Sequence, residues 1–372
     1  MRSSSWPGLD DGDAHAMAGR FRLFGERWFA ESSPLYTQLS LAVADDPEIA
    51  AMLLAAPVDQ RSPTLFFAAV HFLVMRSPDE PLAVHFPDVS SLPPAPDGAY
   101  PMLRELCLRR SEELGGLIAS RHTQTNEVGR CSFLLPALEV ISSAVERRPL
   151  ALVEVGCSAG LNLLMDRYRI DFGAVGRSGP ADSALTVRTE VRGELRPPVP
   201  STWPTIASRL GIEVNPIDVR DPDDALWLRA CVWPEHHERL RVLTRAVEIA
   251  RADPPTVLAG DAAALLPGAL RESPPDAHPV VIHTQVLPYF SAEARDGWMD
   301  VVSGAAGDRD LTLLLCESTV FARTVMRPTL ELEALPPDGM VLARIDFAAG
   351  SRHEEVLALT SAHGTWLEWL RH

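Results

Sequence analysis

"LVEVGCSAGLN", residues 152–162, runs from an apolar segment of strand type into small residues at positions 156, 158 and 160. Three interpretations are open. The stretch is a strand with a glycine turn that binds a nucleotide-like cofactor, a strand with a Gly-x-Ser-x-Gly elbow that presents Ser158 as a nucleophile, or a strand–turn–helix corner without chemistry. The fold around the stretch and the acidic residues after it decide between them.

The sequence before this stretch and the sequence after it have different secondary-structure patterns. From Leu150 onward short β-branched runs alternate with helical stretches, which predicts an α/β domain with a mostly parallel sheet covered on both faces. The last two strand candidates have only a short loop between them, which predicts an antiparallel pair. Upstream, helical periodicity dominates, with Pro34 and Pro47 at helix starts. We therefore expect a helical N-terminal region over residues 1–145 and the α/β domain over residues 146–372. The strand candidates are "LALVEVG", "IEVNPIDV", "PTVLAGDA", "HPVVIHTQV", "DLTLLLCEST", "GMVLARIDF" and "EEVLALTSA", with an inserted hairpin in "YRIDFG" and "ALTVRTEVRGE".

Composition excludes several classes of function. The net charge of −16, with arginines scattered among carboxylates, argues against a nucleic-acid partner. All 34 basic residues are arginine, which removes the P-loop lysine and Schiff-base chemistry. The five dispersed cysteines form no Cys-x-x-Cys pair and favour neither disulfides nor structural zinc. The N-terminus has no apolar signal-peptide core and no run is long enough to span a membrane, so we expect a cytoplasmic protein without a membrane partner.

The elbow interpretation has sequence support. Gly156-Cys157-Ser158-Ala159-Gly160 matches the elbow pattern, and Asp261 followed by His283 or His363 gives the order Ser, Asp, His. Two features weaken it. The upstream half is helical and holds no oxyanion loop of His-Gly-Gly type, and an elbow has no use for the carboxylate of Glu154.

The cofactor turn accounts for more residues. Small side chains let the backbone approach a ligand closely, and Glu154 stands two residues before the first glycine. Asp218 ends the candidate strand "IEVNPIDV", and Asp261 follows "TVLAG". Acids at strand ends accept hydrogen bonds from ribose hydroxyls and from an adenine amino group. The structural alternatives are a turn or cap role for Asp218 and a helix N-cap for Asp261.

In order and spacing, "VEVGCSAG", "GDAAALLP" and "VVIHTQVLPYF" resemble the core of class I S-adenosylmethionine-dependent methyltransferases, a Rossmann-like sheet with an antiparallel last strand. The resemblance implies that Glu154 holds the amino group of S-adenosylmethionine, that Asp261 holds the adenine, and that the second-strand acid holds the ribose. Asp218 is that acid, with Asp171 and Glu190 as alternatives because the inserted hairpin lengthens the spacing. The turn that would lie under the cofactor consists of Gly156, Ser158 and Gly160.

A further resemblance covers nearly the whole chain and is to the bacterial domain-of-unknown-function family 2332. It implies a shared fold and no particular reaction. The segments that carry it are "SPLYTQL", "QTNEVGRC", "EVGCSAGLNLLMDRYRIDFG", "WLRACVWPEHHERL" and "HGTWLEWL".

Two polar segments hold candidate reactive residues. In "QTNEVGRC", Asn126 and Arg130 would share one helix face, Arg130 would bind a carboxylate, and Glu127 would act as an acid or base. The alternative is helix capping by this segment. In "HTQVLPYF", His283 is a candidate base and Tyr289 a substrate platform, against a purely structural role for the histidine.

The expected function is S-adenosylmethionine binding and methyl transfer to a small molecule. No metal site is expected, because the adjacent histidines of "WPEHHERL" would point to different sides of a helix. The alternatives are a non-catalytic methyltransferase-like module for ligand binding or interaction, and a serine hydrolase that uses Ser158.

Overall fold

The computed structural model describes residues 12–30, 32–92, 98–307, 309–326, 339–348 and 350–371. Twelve α-helices and twelve strands lie within these residues. The helices are α1 (Ala14–Leu23), α2 (Pro34–Ala44), α3 (Pro47–Ala50), α4 (Pro63–Arg76), α5 (Tyr100–Arg109), α6 (Ser111–Ser120), α7 (Cys131–Ala144), α8 (Pro222–Ala230), α9 (His237–Ala252), α10 (Ala262–Arg271), α11 (Ala292–Ala305) and α12 (Thr319–Val325). The strands are β1 (Leu150–Val155), β2 (Arg169–Asp171), β3 (Arg177–Ser178), β4 (Thr186–Arg188), β5 (Glu190–Arg192), β6 (Ile206–Glu213), β7 (Thr256–Ala259), β8 (His278–Thr284), β9 (Leu311–Ser318), β10 (Met340–Ala348), β11 (Ser351–Thr360) and β12 (Trp366–Trp369).

The described chain forms two compact units. The first contains the residues up to Thr125 together with Arg220–Arg241, and the second contains Asn126–Val219 together with the residues from Val242 onward. The boundary at residue 145 stays a prediction.

The first unit is helical, as the sequence predicts. Ser33 and Asp46 cap α2 and α3, and a proline occupies the first turn of each helix. The helix α4 is buried along most of its length because its residues are almost all apolar.

The second unit is built on a nine-stranded, mostly parallel sheet in the order β5-β12-β11-β10-β9-β8-β1-β6-β7. All six residues of β1 are buried, which is typical of a parallel strand at the centre of a covered sheet. One face of the sheet packs against α10, α11 and α12. The mixed α/β class is therefore confirmed, and so is the antiparallel pairing of β10 with β11.

Three local predictions are wrong. The second strand of the sheet ends at Glu213 rather than continuing through "NPIDV". The stretch "LNLLMDRY" after the glycine turn has an apolar pattern that predicts an α-helix, but Leu161–Arg167 is a 3₁₀ segment with a kink at Leu164. The inserted hairpin is a three-stranded sheet in which β2 pairs with β4 in parallel, while β5 joins the edge of the main sheet.

Candidate functional site

The candidate site lies at the carboxyl ends of the parallel strands around β1. The strands β6 and β7 lie on one side of β1, and β8 and β9 lie on the other, so the strand order reverses between β1 and β8. In open α/β sheets, ligands bind outside the carboxyl ends of the strands at such a reversal. Polar residues that end these strands are therefore the first candidates for ligand contacts.

The glycine turn after β1 is a left-handed bend. The φ angle is 69° at Gly156, 55° at Ser158 and 69° at Gly160. A Cβ atom at Gly156 would lie 2.7 Å from Cγ2 of Val286, and one at Gly160 would lie 2.7 Å from Cγ of Pro255. Backbone conformation and packing against the protein's own side chains therefore account for both glycines, and the case for a ligand depends on the neighbouring carboxylates.

Glu154 supplies a buried carboxyl group beside this turn. Its Oε1 accepts a hydrogen bond of 3.3 Å from Nδ2 of Asn162, and its Oε2 has no hydrogen-bond partner among the described residues. Burial raises the pKa of Glu154 to about 8, although Asn162 and the nearby Arg130 cation favour the charged form. An ammonium group bound at the open oxygen would stabilise the carboxylate.

Glu213, the last residue of β6, is a site residue that the sequence analysis missed. Its Oε2 accepts a hydrogen bond of 2.8 Å from the Ser158 backbone N–H, and its Oε1 accepts one of 3.1 Å from the Asn215 N–H. The carboxylate therefore lies directly against the glycine turn. Asp218, the predicted second-strand acid, lies further along the exposed loop that follows β6.

The two alternative acids lie elsewhere. Asp171, in the three-stranded sheet, accepts hydrogen bonds from the Gly173 N–H and from Nε of Arg177. Glu190 lies in β5, at the opposite end of the main sheet from β7. The structure brings neither residue to the reversal point.

Asp261 lies just beyond β7, the neighbour of β6. Ala259 and Glu213 are partners in the register of the two strands, so Asp261 is close to the Glu213 end of the sheet. The side chain is exposed and its Oδ1 accepts a hydrogen bond of 3.0 Å from the Ala264 N–H. The residue therefore caps α10 and is also accessible to a ligand.

The segment 126–130 is not α-helical, so Asn126 and Arg130 do not share a helix face; Val128–Arg130 form a 3₁₀ turn. Oδ1 of Asn126 accepts a hydrogen bond of 3.1 Å from the Leu161 N–H, which ties the segment to the glycine turn. Glu127 is buried and caps the 3₁₀ turn.

Arg130 joins this segment to the end of β8. Its Nη1 donates to the carbonyl oxygen of Thr284 at 2.8 Å and to the Thr284 hydroxyl at 3.0 Å, and its Nε donates to the carbonyl oxygen of Ala362. Gln285, in a left-handed conformation with φ of 57°, donates from Nε2 to the same carbonyl at 2.8 Å. The guanidinium is therefore fixed at the carboxyl edge of the sheet.

His283 is fully buried in β8. Its Nδ1 lies 3.1 Å from Oε1 of Glu317, and the same oxygen accepts hydrogen bonds from the N–H groups of Val286 and Leu287. The imidazole contacts Trp298 of α11, so it faces the side of the sheet opposite to Glu154. Here it supports the loop after β8.

Tyr289 lies in that loop, in a short 3₁₀ turn, and is 57% exposed. The phenol ring therefore lies at the surface near the end of β8, whereas His283 is buried.

The residues of the hydrolase interpretation have other contacts. His283 lies against Glu317, Nδ1 of His363 lies 3.1 Å from Oε2 of Glu127, and Asp261 caps α10. Within the part of the chain that the structure describes, no group of three or more histidine, cysteine or acidic side chains could hold a metal ion.

Glu213 is a functional candidate that the sequence analysis did not identify, and the pairing of His363 with Glu127 is another feature that it missed, since His363 was considered only as a histidine of the hydrolase interpretation. Asn215 and Pro216 after Glu213 were the available signal, since both residues favour a turn and end a strand. No local signal connects His363 to Glu127, because only the fold brings them together.

A comparison with known protein families gives a match. The sequence model of a bacterial family, described as an uncharacterized protein conserved in bacteria, matches residues 18–369. A search of curated proteins found no match. Among the described residues, none of the helices combines the length and apolar character that crossing a membrane requires.

Proposed function

We propose that this chain, which belongs to the bacterial family DUF2332, binds S-adenosylmethionine and transfers its methyl group to a small molecule. The proposal includes a Rossmann-like, class I methyltransferase type of sheet. The strand order β7-β6-β1-β8-β9, with β1 at the reversal point and β10 antiparallel to β9, supports it.

One observation carries the proposal. Three adjacent parallel strands, β1, β6 and β7, each bring an acid to the same edge of the sheet: Glu154, Glu213 and Asp261. A nucleoside joined to an amino acid needs acceptors for an ammonium group, two ribose hydroxyls and an amino-purine edge. The acids lie in that order from the reversal point outward.

The residues fit the cofactor by their chemistry. The unpaired, buried Oε2 of Glu154 fits the ammonium group, and the fixed guanidinium of Arg130 fits the carboxylate of the same amino-acid end. Glu213 fits the ribose, and Asp261 fits the adenine. When bound, the cofactor supplies an electrophilic methyl group. The protein's contribution is to hold the acceptor in line with that methyl group, which is a positioning effect.

Calorimetric titration of the purified chain with S-adenosylmethionine tests the proposal. We expect binding by the wild type and at least tenfold weaker binding by Glu154→Gln, which keeps the shape of the side chain and removes its charge. Glu190→Gln is the matched control, because it also removes a strand carboxylate but at the far end of the sheet. Absence of binding to a folded wild-type chain would overturn the proposal.

Binding without methyl transfer to any member of a metabolite panel would favour the non-catalytic module instead. The left-handed conformation of Ser158, with φ of 55°, is a structural observation that favours the hydrolase. Labelling by a fluorophosphonate that is lost in Ser158→Ala would support that alternative, and no labelling of the wild type would exclude it.

A further inference from the structure

The turn between β11 and β12 carries a histidine to the candidate site. The carbonyl oxygen of Ala362 accepts hydrogen bonds from Nε of Arg130 and from Nε2 of Gln285. Gln285 directly follows β8, and Arg130 is hydrogen-bonded to Thr284 at the end of that strand. The Ser132 hydroxyl donates to the carbonyl oxygen of Gly364 at 2.9 Å. The turn is thus attached to residues at the carboxyl ends of the strands on one side of His363 and to α7 on the other side.

Close backbone approach fixes the turn further. A Cβ atom at Gly129 would lie 2.1 Å from the carbonyl oxygen of His363, and one at Gly364 would lie 2.2 Å from the carbonyl oxygen of Gly129. Only glycine fits at either position, so the segment that carries Glu127 and the turn that carries His363 are held against each other.

The two side chains form an oriented pair. Nδ1 of His363 lies 3.1 Å from Oε2 of Glu127, and the side chains are 41% and 6% exposed respectively. Nδ1 is buried, and its contact with Glu127 is at ion-pair distance without the angle of a hydrogen bond. The charge of the nearby carboxylate still favours a proton on Nδ1, which leaves the lone pair on Nε2. Among the described residues none forms a hydrogen bond with that Nε2, and because Nδ1 is buried, the exposed 41% of the side chain belongs to the other atoms. A buried carboxylate whose charge favours one tautomer of an accessible imidazole is the arrangement of a general base.

We infer that His363 is the catalytic residue that accepts a proton from the methyl acceptor, that Glu127 positions it, and that the acceptor is a hydroxyl compound, an alcohol or a phenol. This rests on the proposed function. As the O–H bond of the acceptor breaks, its proton goes to Nε2 of His363. The oxygen's electron pair forms the new bond to the methyl carbon, and the electrons of the broken S–C bond remain on sulfur as a neutral thioether. The imidazolium later releases its proton to water.

A hydroxyl acceptor follows from the chemistry of a base. A carboxylate is already ionised at neutral pH, and an alkylammonium group can lose its proton to water before it attacks, so neither needs a base in the transition state. An alcohol or phenol remains protonated at neutral pH and gains from a base in the transition state.

Nitrogen NMR of the full chain labelled with ¹⁵N-histidine tests the inference without a turnover assay. The variant His363→Gln assigns the signal. We expect the Nδ1–H tautomer for His363 in the wild type and a shift toward the Nε2–H tautomer in Glu127→Gln. On addition of S-adenosylhomocysteine, the His363 signals should shift, whereas those of His353 should not. His353 is the matched control because it lies near the start of β11, at the opposite edge of the sheet.

The outcomes separate the two proposals. If calorimetry shows S-adenosylhomocysteine binding but His363 has the Nε2–H tautomer, or its signals do not respond, the inference is overturned and the proposed function stands. If the folded chain does not bind S-adenosylhomocysteine at all, the proposed function fails and the inference fails with it. The wild-type tautomer decides the orientation even if Glu127→Gln does not fold.

Discussion

The carboxylate of Glu213 accepts a hydrogen bond of 2.8 Å from the backbone N–H of Ser158, so the end of β6 holds the bend that follows β1. Ser158 has a positive φ, which costs energy for a residue with a side chain, and the hydrogen bond helps to offset that cost. The same carboxylate is the proposed ribose ligand. Turn geometry and ligand binding are therefore linked through one side chain.

The first prediction concerns this link. Glu213→Ala leaves the N–H groups of Ser158 and Asn215 without their acceptor, and hydrogen bonds to a charged group contribute about 1.5–3 kcal/mol each when well shielded. Because Glu213 is partly exposed and water can replace it, we expect a loss of about 1–2 kcal/mol in the free energy of unfolding, measured by urea titration. Glu190→Ala should change this value by less than about 0.5 kcal/mol. Equal values for the two variants would contradict the role of Glu213.

The second prediction concerns pH. Burial raises the pKa of Glu154 from 4.5 to about 8, so the folded state binds a proton more tightly than the unfolded state. The stability from the protonated carboxyl is fully present below pH 4.5 and is lost as the pH rises to about 8. Glu154→Gln cannot ionise and should be more stable than the wild type at pH 8, by on the order of 3 kcal/mol.

Denaturant titrations at pH 4.5 and pH 8 check this prediction. The unfolding free energies of the wild type and Glu154→Gln should differ little at pH 4.5, and the difference should grow toward pH 8. A constant difference across the range would show that Glu154 does not carry the effect.

The third prediction concerns the buried pair below the β8 loop. Glu317→Ala leaves the N–H groups of Val286 and Leu287 and the ring of His283 without their shared acceptor. Removing one member of such a buried group costs about 3–5 kcal/mol. We expect a large fall in the melting temperature, and a smaller one for Glu317→Gln, which keeps an acceptor oxygen. Similar melting temperatures for Glu317→Ala and the wild type would mean that the pair does not support the loop.

Much of the fold was accessible from the sequence because its elements have strong local patterns. The buried strands β1, β8 and β9 are largely apolar, and apolar runs bounded by turn residues predict central strands. The prolines at the starts of α2 and α3 act through their fixed φ angle, which is a local effect.

The second strand of the sheet was misplaced because its pattern is weak. The strand β6 contains Ser208 and Arg209, whereas the loop after it contains Val214, Ile217 and Val219, which look more like a strand. Parallel pairing with β1, rather than local sequence pattern, determines which of these residues form the strand. Because the strand was predicted to continue past its true end, the predicted second-strand acid was Asp218 rather than Glu213. The pairing of His363 with Glu127 was missed for a related reason, since the two residues are distant in sequence and only the β11–β12 turn brings them together.

The last prediction separates conformation from packing at the glycine turn. Gly156→Ala adds a methyl group 2.7 Å from Cγ2 of Val286 at a φ of 69°, so it incurs both a steric and a backbone cost. Gly173→Ala is the matched control: its φ is 62°, but no atom lies within 4 Å of the new methyl group. The control should lose about 1–2 kcal/mol of unfolding free energy, the cost of the left-handed conformation alone. Gly156→Ala should lose about 1–3 kcal/mol more, as overpacked sites do.

The double variant Gly156→Ala, Val286→Ala tests the packing contact. It should lose less unfolding free energy than the sum of the losses of the two single variants, because the smaller side chain at position 286 makes room for the new methyl group. Additive effects in urea titrations would mean that Val286 does not contact the turn as the structure describes.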